Sequence, residues 1–376
     1  AVSDTRIVGY QRPESSKTTP LSRAAILDAP IYTGLLKNQG TPMNTSSLFL
    51  DEIYALAHEA LLGAGASEEH ANAVADVVTR AERDGSHSHG LFRIPGYVAS
   101  LRSGKVNGNA DPKLSMPSPV VLHCDGDLGY APLAHHRSLD TLAKAAKENG
   151  VATLSITRTH HFAALWPETE ALAQQGLVAI ACVSYMPSVA PFGASEALYG
   201  TNPLSFAWPR PKSPPLVFDM ATAAMAMGDV QIAARDGHPV PVGTGLNADG
   251  ESTTDPKEII KGVLLPFGGH KGSHIAMMIE LLAGPLVGET VSFSSKKRDS
   301  GDGGPPQGGE FILAMNPDIL SGNEWHDQSE AFLEKLDALE GVRLPAERRY
   351  RNRQDTGARQ INSDLLEKIQ TTRLPT

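Results

Sequence analysis

Apolar positions recur with a helical period once the chain leaves its first 46 residues. Ile53, Leu56, Ala57, Ala60 and Leu61 fall on one helical face, which the glycines at 63 and 65 bring to an end. A second helix is predicted from Ser67, whose hydroxyl can cap the first turn while Glu68 and Glu69 suit its positive end. Val74, Val77, Val78 and Ala81 form its expected buried stripe. The pattern then changes to short continuous apolar runs. Residues 120–124 and 151–156 read as strands, and residues 132–148 between them as a helix closed by Gly150. Strand, helix and strand can make a parallel crossover unit. Residues 177–184, 216–221 and 311–315 also read as strands. One later helix carries Ile275, Met278, Ile279 and Leu282, and another Phe332, Leu336 and Leu339. Met277 and Met278 are assigned to packing.

A chain of 376 residues exceeds one ordinary core, so two interlocked domains are expected. Residues 1–46, with scattered prolines and little apolar periodicity, read as an N-terminal extension, either an arm on a partner subunit or a loosely ordered segment. The net charge of −9 argues against a nucleic-acid or anionic-membrane partner. No apolar run approaches the roughly 20 residues that span a bilayer, and no secretory signal is expected. The two cysteines, Cys124 and Cys182, lie in apolar strand-like runs. That argues against a disulfide framework or a cysteine metal cluster and points to a reducing, cytoplasmic compartment.

The densest chemistry lies in RDGSHSHGLFRIPGY, residues 83–97. Ser88, His89 and Arg93 form a candidate site: an imidazole that carries a proton near neutral pH, a hydroxyl beside it, and a fixed cation four residues on. The guanidinium can hold a carboxylate through two parallel hydrogen bonds while the imidazole gives or takes a proton at the neighbouring atom. A small anionic substrate fits that set. The plainer reading makes His87 and His89 polar loop residues and Arg93 a surface cation. Asp229 can orient His89 if the fold brings the two together. Thr201 and Asn202, in a Gly-Thr-Asn-Pro turn, can bind a ligand or their own backbone.

Phosphate chemistry has three candidate places. In RTHHFAALW, residues 158–166, backbone donors ahead of a short helix can receive an anionic group or simply be capped. Its paired histidines lack a carboxylate or cysteine at ligand spacing, so no metal site is expected. In LLPFGGHKG, residues 264–272, His270 and Lys271 precede a helix and suit a phosphate or ribose. RLPAERRYRNR, residues 343–353, holds five arginines and one glutamate, either a solvated surface or a phosphate-monoester site. No glycine-rich fingerprint follows the strand at 120–124, so a conventional Rossmann site is not indicated. Residues 295–309 read as a mobile loop.

The stretches DGSHSHG, FRIPGY, RTHHFAALW, GTNP, FDMATAAMAMGDVQIAARDG, NADGESTTDP, LLPFGGHKG and RLPAERRY occur in this order. Together they resemble the malate/L-lactate dehydrogenase-type family of nicotinamide oxidoreductases. Within it they look like the branch that reduces Δ1-piperideine-2-carboxylate and Δ1-pyrroline-2-carboxylate. The resemblance implies a mixed α/β fold with a non-Rossmann nicotinamide-binding domain on a largely antiparallel sheet, residues 121–316. It also implies a helical substrate and dimerisation domain, residues 47–120 with 317–376, in a homodimer. It further implies a relay of Ser88, His89 and Asp229 in which His89 donates the proton, with Arg93 and Thr201 holding the substrate. NADPH would meet His161, Phe162, Ala163, Ala164, Leu165, Asp219, Met220, Ala221, His270, Lys271, Arg348, Arg349 and Arg353. Reduction of the cyclic imine to L-pipecolate or L-proline is the expected reaction. A 2-hydroxyacid dehydrogenase of malate, lactate or ureidoglycolate type and a non-catalytic small-acid binder remain open. Asp229 favours the imine branch, whose cationic substrate gains from a carboxylate, whereas hydroxy-acid members commonly carry lysine there. Ala346 departs from the family, where glycine is common.

Overall fold

The computed structural model describes residues 44–322 and 324–372, so residues 1–43 of the expected extension lie outside the described residues. Strand β1 (Thr45–Leu48) takes in Thr45 and Ser46, which the sequence reading assigned to that extension. It pairs antiparallel with β12 (Arg359–Asn362) and so ties the two ends of the described chain together.

Helix α1 (Leu50–Gly63) buries all five residues of its predicted face. Helix α2 (Glu68–Asp84) begins as expected, with Ser67 Oγ accepting from the His70 N–H at 3.3 Å. Its buried face centres on Ala71, Val74, Ala75 and Val78, and Val77 lies half-buried at the edge of that face. Gly85 closes the helix in the left-handed region at φ 75°, a conformation that costs glycine little. Two 3-10 turns, His87–His89 and Leu91–Arg93, follow, and then α3 (Ile94–Arg102). These helices share a core with the last helix of the chain through Ile53, Leu61, Val78, Leu91, Ile94 and Ile369. Each such side chain contributes about 1.5–3 kcal/mol through burial.

A seven-stranded mixed sheet forms the second body of packing. Its strands are β2 (Lys113–Ser118), β3 (Val121–Asp125), β4 (Val151–His160), β5 (Val178–Val183), β6 (Leu204–Trp208), β7 (Leu216–Met220) and β11 (Gln307–Met315), in the order β2-β3-β4-β11-β5-β6-β7. Only β3 and β4 run parallel, joined by α4 (Ala131–Asn149) as the predicted crossover; the other neighbours are antiparallel. Ala152, Leu154, Ile156, Ile312 and Ala314 are fully buried on the central strands, against Leu142 and Ala146 of α4. The pattern missed β2, which is mostly exposed, and β6, whose inward residues are only Ser205 and Ala207.

Helix α5 (Trp166–Gln174) follows β4, and α6 (Met227–Asp236) follows β7. A small antiparallel sheet of β8 (Gly245–Leu246), β9 (Ser252–Thr253) and β10 (Val263–Leu264) surrounds α7 (Pro256–Lys261). Helix α8 (His270–Ala283) packs Ile279 and Ala283 against Cys182 on the sheet. Its Met277 and Met278 are exposed rather than packed. After α9 (Ser292–Ser295), the segment read as a mobile loop is fastened to Lys105, whose Nζ pairs with Asp302 at 2.5 Å and Asp299 at 3.4 Å. Then come α10 (Pro317–Ser321), α11 (Trp325–Asp337), the arginine-rich α12 (Glu347–Gln354) and α13 (Ser363–Thr372). Trp325 of α11 meets Trp208 at the sheet, with ring centres 5.5 Å apart.

Candidate active site

The last turn of α2 and the two 3-10 turns after it position the Ser-His-Arg set. Glu82, buried at the end of α2, accepts the Leu91 N–H at 2.8 Å through Oε1 and holds His87 Nδ1 at 2.7 Å through Oε2. That hydrogen bond is the main reason the His87 pKa is raised; burial opposes it. Sequence reading missed Glu82. Its signal was an acid in the last turn of a helix, where the negative end of the helix disfavours it without another partner.

Ser88 Oγ and His89 Nδ1 lie 3.2 Å apart, which leaves His89 Nε2 for a ligand. Burial lowers the His89 pKa to about 3, helped by the charge of Arg93 and by His161. Arg93 donates from Nε to the Ser88 carbonyl oxygen at 2.7 Å, and its guanidinium carbon sits 4.6 Å from the centre of the Phe162 ring. A cavity of about 690 Å³ is lined by His89, Arg93, His161, Phe162, Thr201 and Gly228. The structure therefore gathers the imidazole, the guanidinium and Thr201 around one space.

Asp229 stands differently. It is exposed in the first turn of α6, and among the described residues it makes no hydrogen bond to Ser88 or His89; its charge acts on His87. The neighbouring Gly228 lines the cavity, as do Met227, Gln231 and Arg235 of the same helix. A Cβ at Gly228 would lie 2.5 Å from Arg93 Nη2 and 3.0 Å from Ser88 Cβ. Asn202 is consumed by the fold: fully buried, it donates to Glu280 Oε1 at 2.7 Å and to the Ala276 carbonyl at 3.2 Å.

Of the residues expected to meet a cofactor, His161, Phe162 and Ala163 line the cavity, and Ala164 and Leu165 are buried behind them. The start of α5 is already capped, because Asp219 Oδ2 accepts from the Leu165 N–H at 2.8 Å and the Trp166 N–H at 3.2 Å. Burial raises the Asp219 pKa, and those two bonds and Arg349 oppose it. Met220 is exposed and Ala221 packs against the small core beneath α6. His270 and Lys271 are exposed at the start of α8, beside a second cavity lined by Phe192, Gly268 and Gly269. They and Arg348 make no ion pair with another described residue, so they can meet phosphate. Arg349 is spent on the Val217 carbonyl at 2.7 Å and the face of Trp166. Arg353 is clamped between Asp84 (2.6 Å) and Glu170 (2.8 Å), so its guanidinium is a staple between α2 and α5.

A family model described as malate/L-lactate dehydrogenase matches residues 49–370. The chain belongs to that family. Membership implies a nicotinamide cofactor. The chain is 46% identical over 311 residues to a Δ1-pyrroline-2-carboxylate reductase of Ancylobacter novellus, covering 82% of this chain and 91% of the relative. A Δ1-pyrroline-2-carboxylate/Δ1-piperideine-2-carboxylate reductase of Pseudomonas putida is 46% identical over 291 residues, covering 77% and 85%. The crystal structure of Δ1-piperideine-2-carboxylate reductase from Pseudomonas syringae pvar. tomato superposes with a TM-score of 0.82 at 41% identity, covering 87% of this chain and all of the other. The mixed α/β fold and its largely antiparallel seven-stranded sheet are those of the family.

Proposed function

We propose that this enzyme reduces the C=N bond of Δ1-pyrroline-2-carboxylate and Δ1-piperideine-2-carboxylate, giving L-proline and L-pipecolate. One observation carries the reading beyond family likeness: Arg93, braced on the Ser88 carbonyl, shares a cavity with the free edge of His89. The guanidinium takes the ring carboxylate through two hydrogen bonds and thereby sets the adjacent imine nitrogen against His89 Nε2. A bound carboxylate also cancels the Arg93 charge that helps hold His89 neutral, so the imidazole gains proton affinity as the substrate arrives. Ser88 Oγ fixes the opposite ring nitrogen, and His89 then holds or delivers the proton on the imine nitrogen. Thr201, which lines the same cavity, supplies a further polar contact. The nicotinamide cofactor, when bound, supplies the hydride for C2.

NADPH is the cofactor of this reading, with exposed His270, Lys271 and Arg348 as its phosphate partners. Arg353 is set aside because Asp84 and Glu170 already occupy its guanidinium. Nicotinamide binding is assigned to the sheet, without a Rossmann loop, and substrate binding to the helices around α2 and α3. A homodimer fits the exposed apolar side chains Met277, Leu281, Leu286 and Phe293. Two free, buried cysteines support a reducing cytoplasm.

The deciding assay follows NADPH oxidation with both cyclic imines, with pyruvate and oxaloacetate in parallel, in the wild type and in His89→Ala. Turnover of the imines, lost in the variant, is expected. Turnover of the oxo acids alone would place the protein with the hydroxy-acid dehydrogenases, and binding without oxidation would make it a small-acid binder.

A further inference from the structure

Four side chains that take no part in the proposed proton and hydride transfers converge behind the cavity wall. His135 comes from α4, His161 follows β4, Glu168 lies in the first turn of α5, and Glu310 stands on β11. Their exposures are 6%, 6%, 3% and 1%. One ligand atom from each lies within 4.8 Å of all the others. Their pairing is incomplete. His135 Nε2 lies 2.7 Å from Glu310 Oε2, but among the described residues His161 Nε2, Glu168 Oε1 and Glu310 Oε1 have no hydrogen-bond partner. Buried polar atoms are almost always satisfied, so these three call for a cation among them or for a proton shared between the facing Glu168 and Glu310 carboxyls. The Glu168 carboxyl also feels the charge of Glu310, and two carboxylates in a dry core need a proton or a cation between them.

We propose that His135, His161, Glu168 and Glu310 form a buried zinc(II) site. Two imidazole nitrogens and two carboxylate oxygens make a four-coordinate donor set, and the two carboxylates balance the charge of the dication. Tetrahedral donors about 2.0–2.1 Å from zinc stand roughly 3.3 Å from one another. The separations of Glu310 Oε2 from His135 Nε2 (2.7 Å) and from His161 Nε2 (4.0 Å) straddle that value, so small side-chain shifts complete the shell. The ion would tie α4, α5, the end of β4 and β11 together and fix the His161 ring that lines the cavity. Sequence spacing hides such a site, because its donors come from four separate elements.

The test is metal analysis of tag-free protein produced with added zinc and dialysed against a weak chelator. The expected result is one zinc per chain in the wild type and in His274→Ala, which breaks up the exposed His270–His274 pair on α8. Glu168→Gln, a neutral isostere, is expected to carry none. Cobalt-loaded wild type should show the intense visible absorption of a four-coordinate site, and EDTA should lower the Tm of the wild type and of His274→Ala but not that of Glu168→Gln. Zinc well below one per chain, or zinc retained in Glu168→Gln, overturns the proposal; the first result leaves a proton shared between the two carboxyls. If Glu168→Gln does not fold, the wild-type stoichiometry and cobalt spectrum decide. None of these readings uses catalytic activity, so the imine-reductase reading stands or falls separately.

Discussion

Arg93 is braced by Ser88: its Nε donates to the Ser88 carbonyl oxygen at 2.7 Å, which leaves the two Nη atoms to meet a ligand. One hydrogen bond thus couples the guanidinium to the residue whose hydroxyl positions His89. Lysine cannot reproduce the arrangement, because it has neither the Nε donor nor the planar fork.

Gly228 tests this coupling without replacing either residue. A Cβ at that position would lie 2.5 Å from Arg93 Nη2 and 3.0 Å from Ser88 Cβ, both side-chain atoms, so the guanidinium must shift. Gly228 lies in α6, where alanine is the better helix former. Gly228→Ala is therefore expected to keep or slightly raise Tm while KM for the imine rises roughly tenfold or more, about 1.4 kcal/mol of lost binding. Steady-state kinetics beside a melting curve check it; unchanged KM would show that Arg93 does not hold the substrate.

Ala346 adopts φ 72°, in the left-handed region, at the N-terminus of α12. A residue with a Cβ is strained there by about 1–2 kcal/mol, so the backbone at this point favours glycine. Ala346→Gly is expected to gain up to about 1 kcal/mol, a few degrees in Tm, less the contact its methyl makes with the sheet core. A lower Tm would mean that this contact outweighs the strain.

The arginines of α12 separate into staple and free cation. Asp84 is fully buried and pairs with Arg353, so Arg353→Ala leaves a buried charge with one partner fewer, a loss of about 3–5 kcal/mol and roughly 10 °C in Tm. Arg348 is exposed and makes no ion pair among the described residues. Arg348→Ala should hold its Tm and lose part of the preference for NADPH over NADH. Cofactor titration and calorimetry on the two variants distinguish the roles; lost NADPH preference in Arg353→Ala at unchanged Tm would reverse the assignment.

The same contrast shows what the sequence carried. Helices α1 and α2 were legible because Ile53 to Leu61 and Val74 to Ala81 repeat with the helical period, and local spacing is all that signal needs. The parallel crossover was legible because β3, α4 and β4 are contiguous. Ser88, His89 and Arg93 lie within one turn-rich stretch, so their meeting is local too. The ion pairs of Arg353 were not legible because its partners lie 269 and 183 residues away and only the tertiary fold brings them together. Glu168 and Glu310 carried no warning of each other for the same reason. Lys105 and Asp302, 197 residues apart, turned an expected mobile segment into a fastened one.

That last pair gives a pH test. Burial works to raise the Asp302 pKa, but bonds from Lys105, the Gly304 N–H, Ser103 and Ser300 outweigh it and lower the value to about 2. The native state therefore binds a proton more weakly than the unfolded chain, whose aspartate titrates near 3.8. The resulting stability is present in full above that pH and is lost as pH falls through about 2. After allowance for solvent screening it is on the order of 1–2 kcal/mol. Asp302→Asn should lower Tm at pH 7, and the gap from wild type should narrow steadily from pH 4 downwards as the wild-type carboxylate is protonated. Asp299, Gly303 and Gly304 line the cavity, so the variant should also raise KM. A Tm gap that stays constant from pH 7 to pH 3 would mean that Asp302 acts through shape, as an asparagine could, and not through its charge on Lys105.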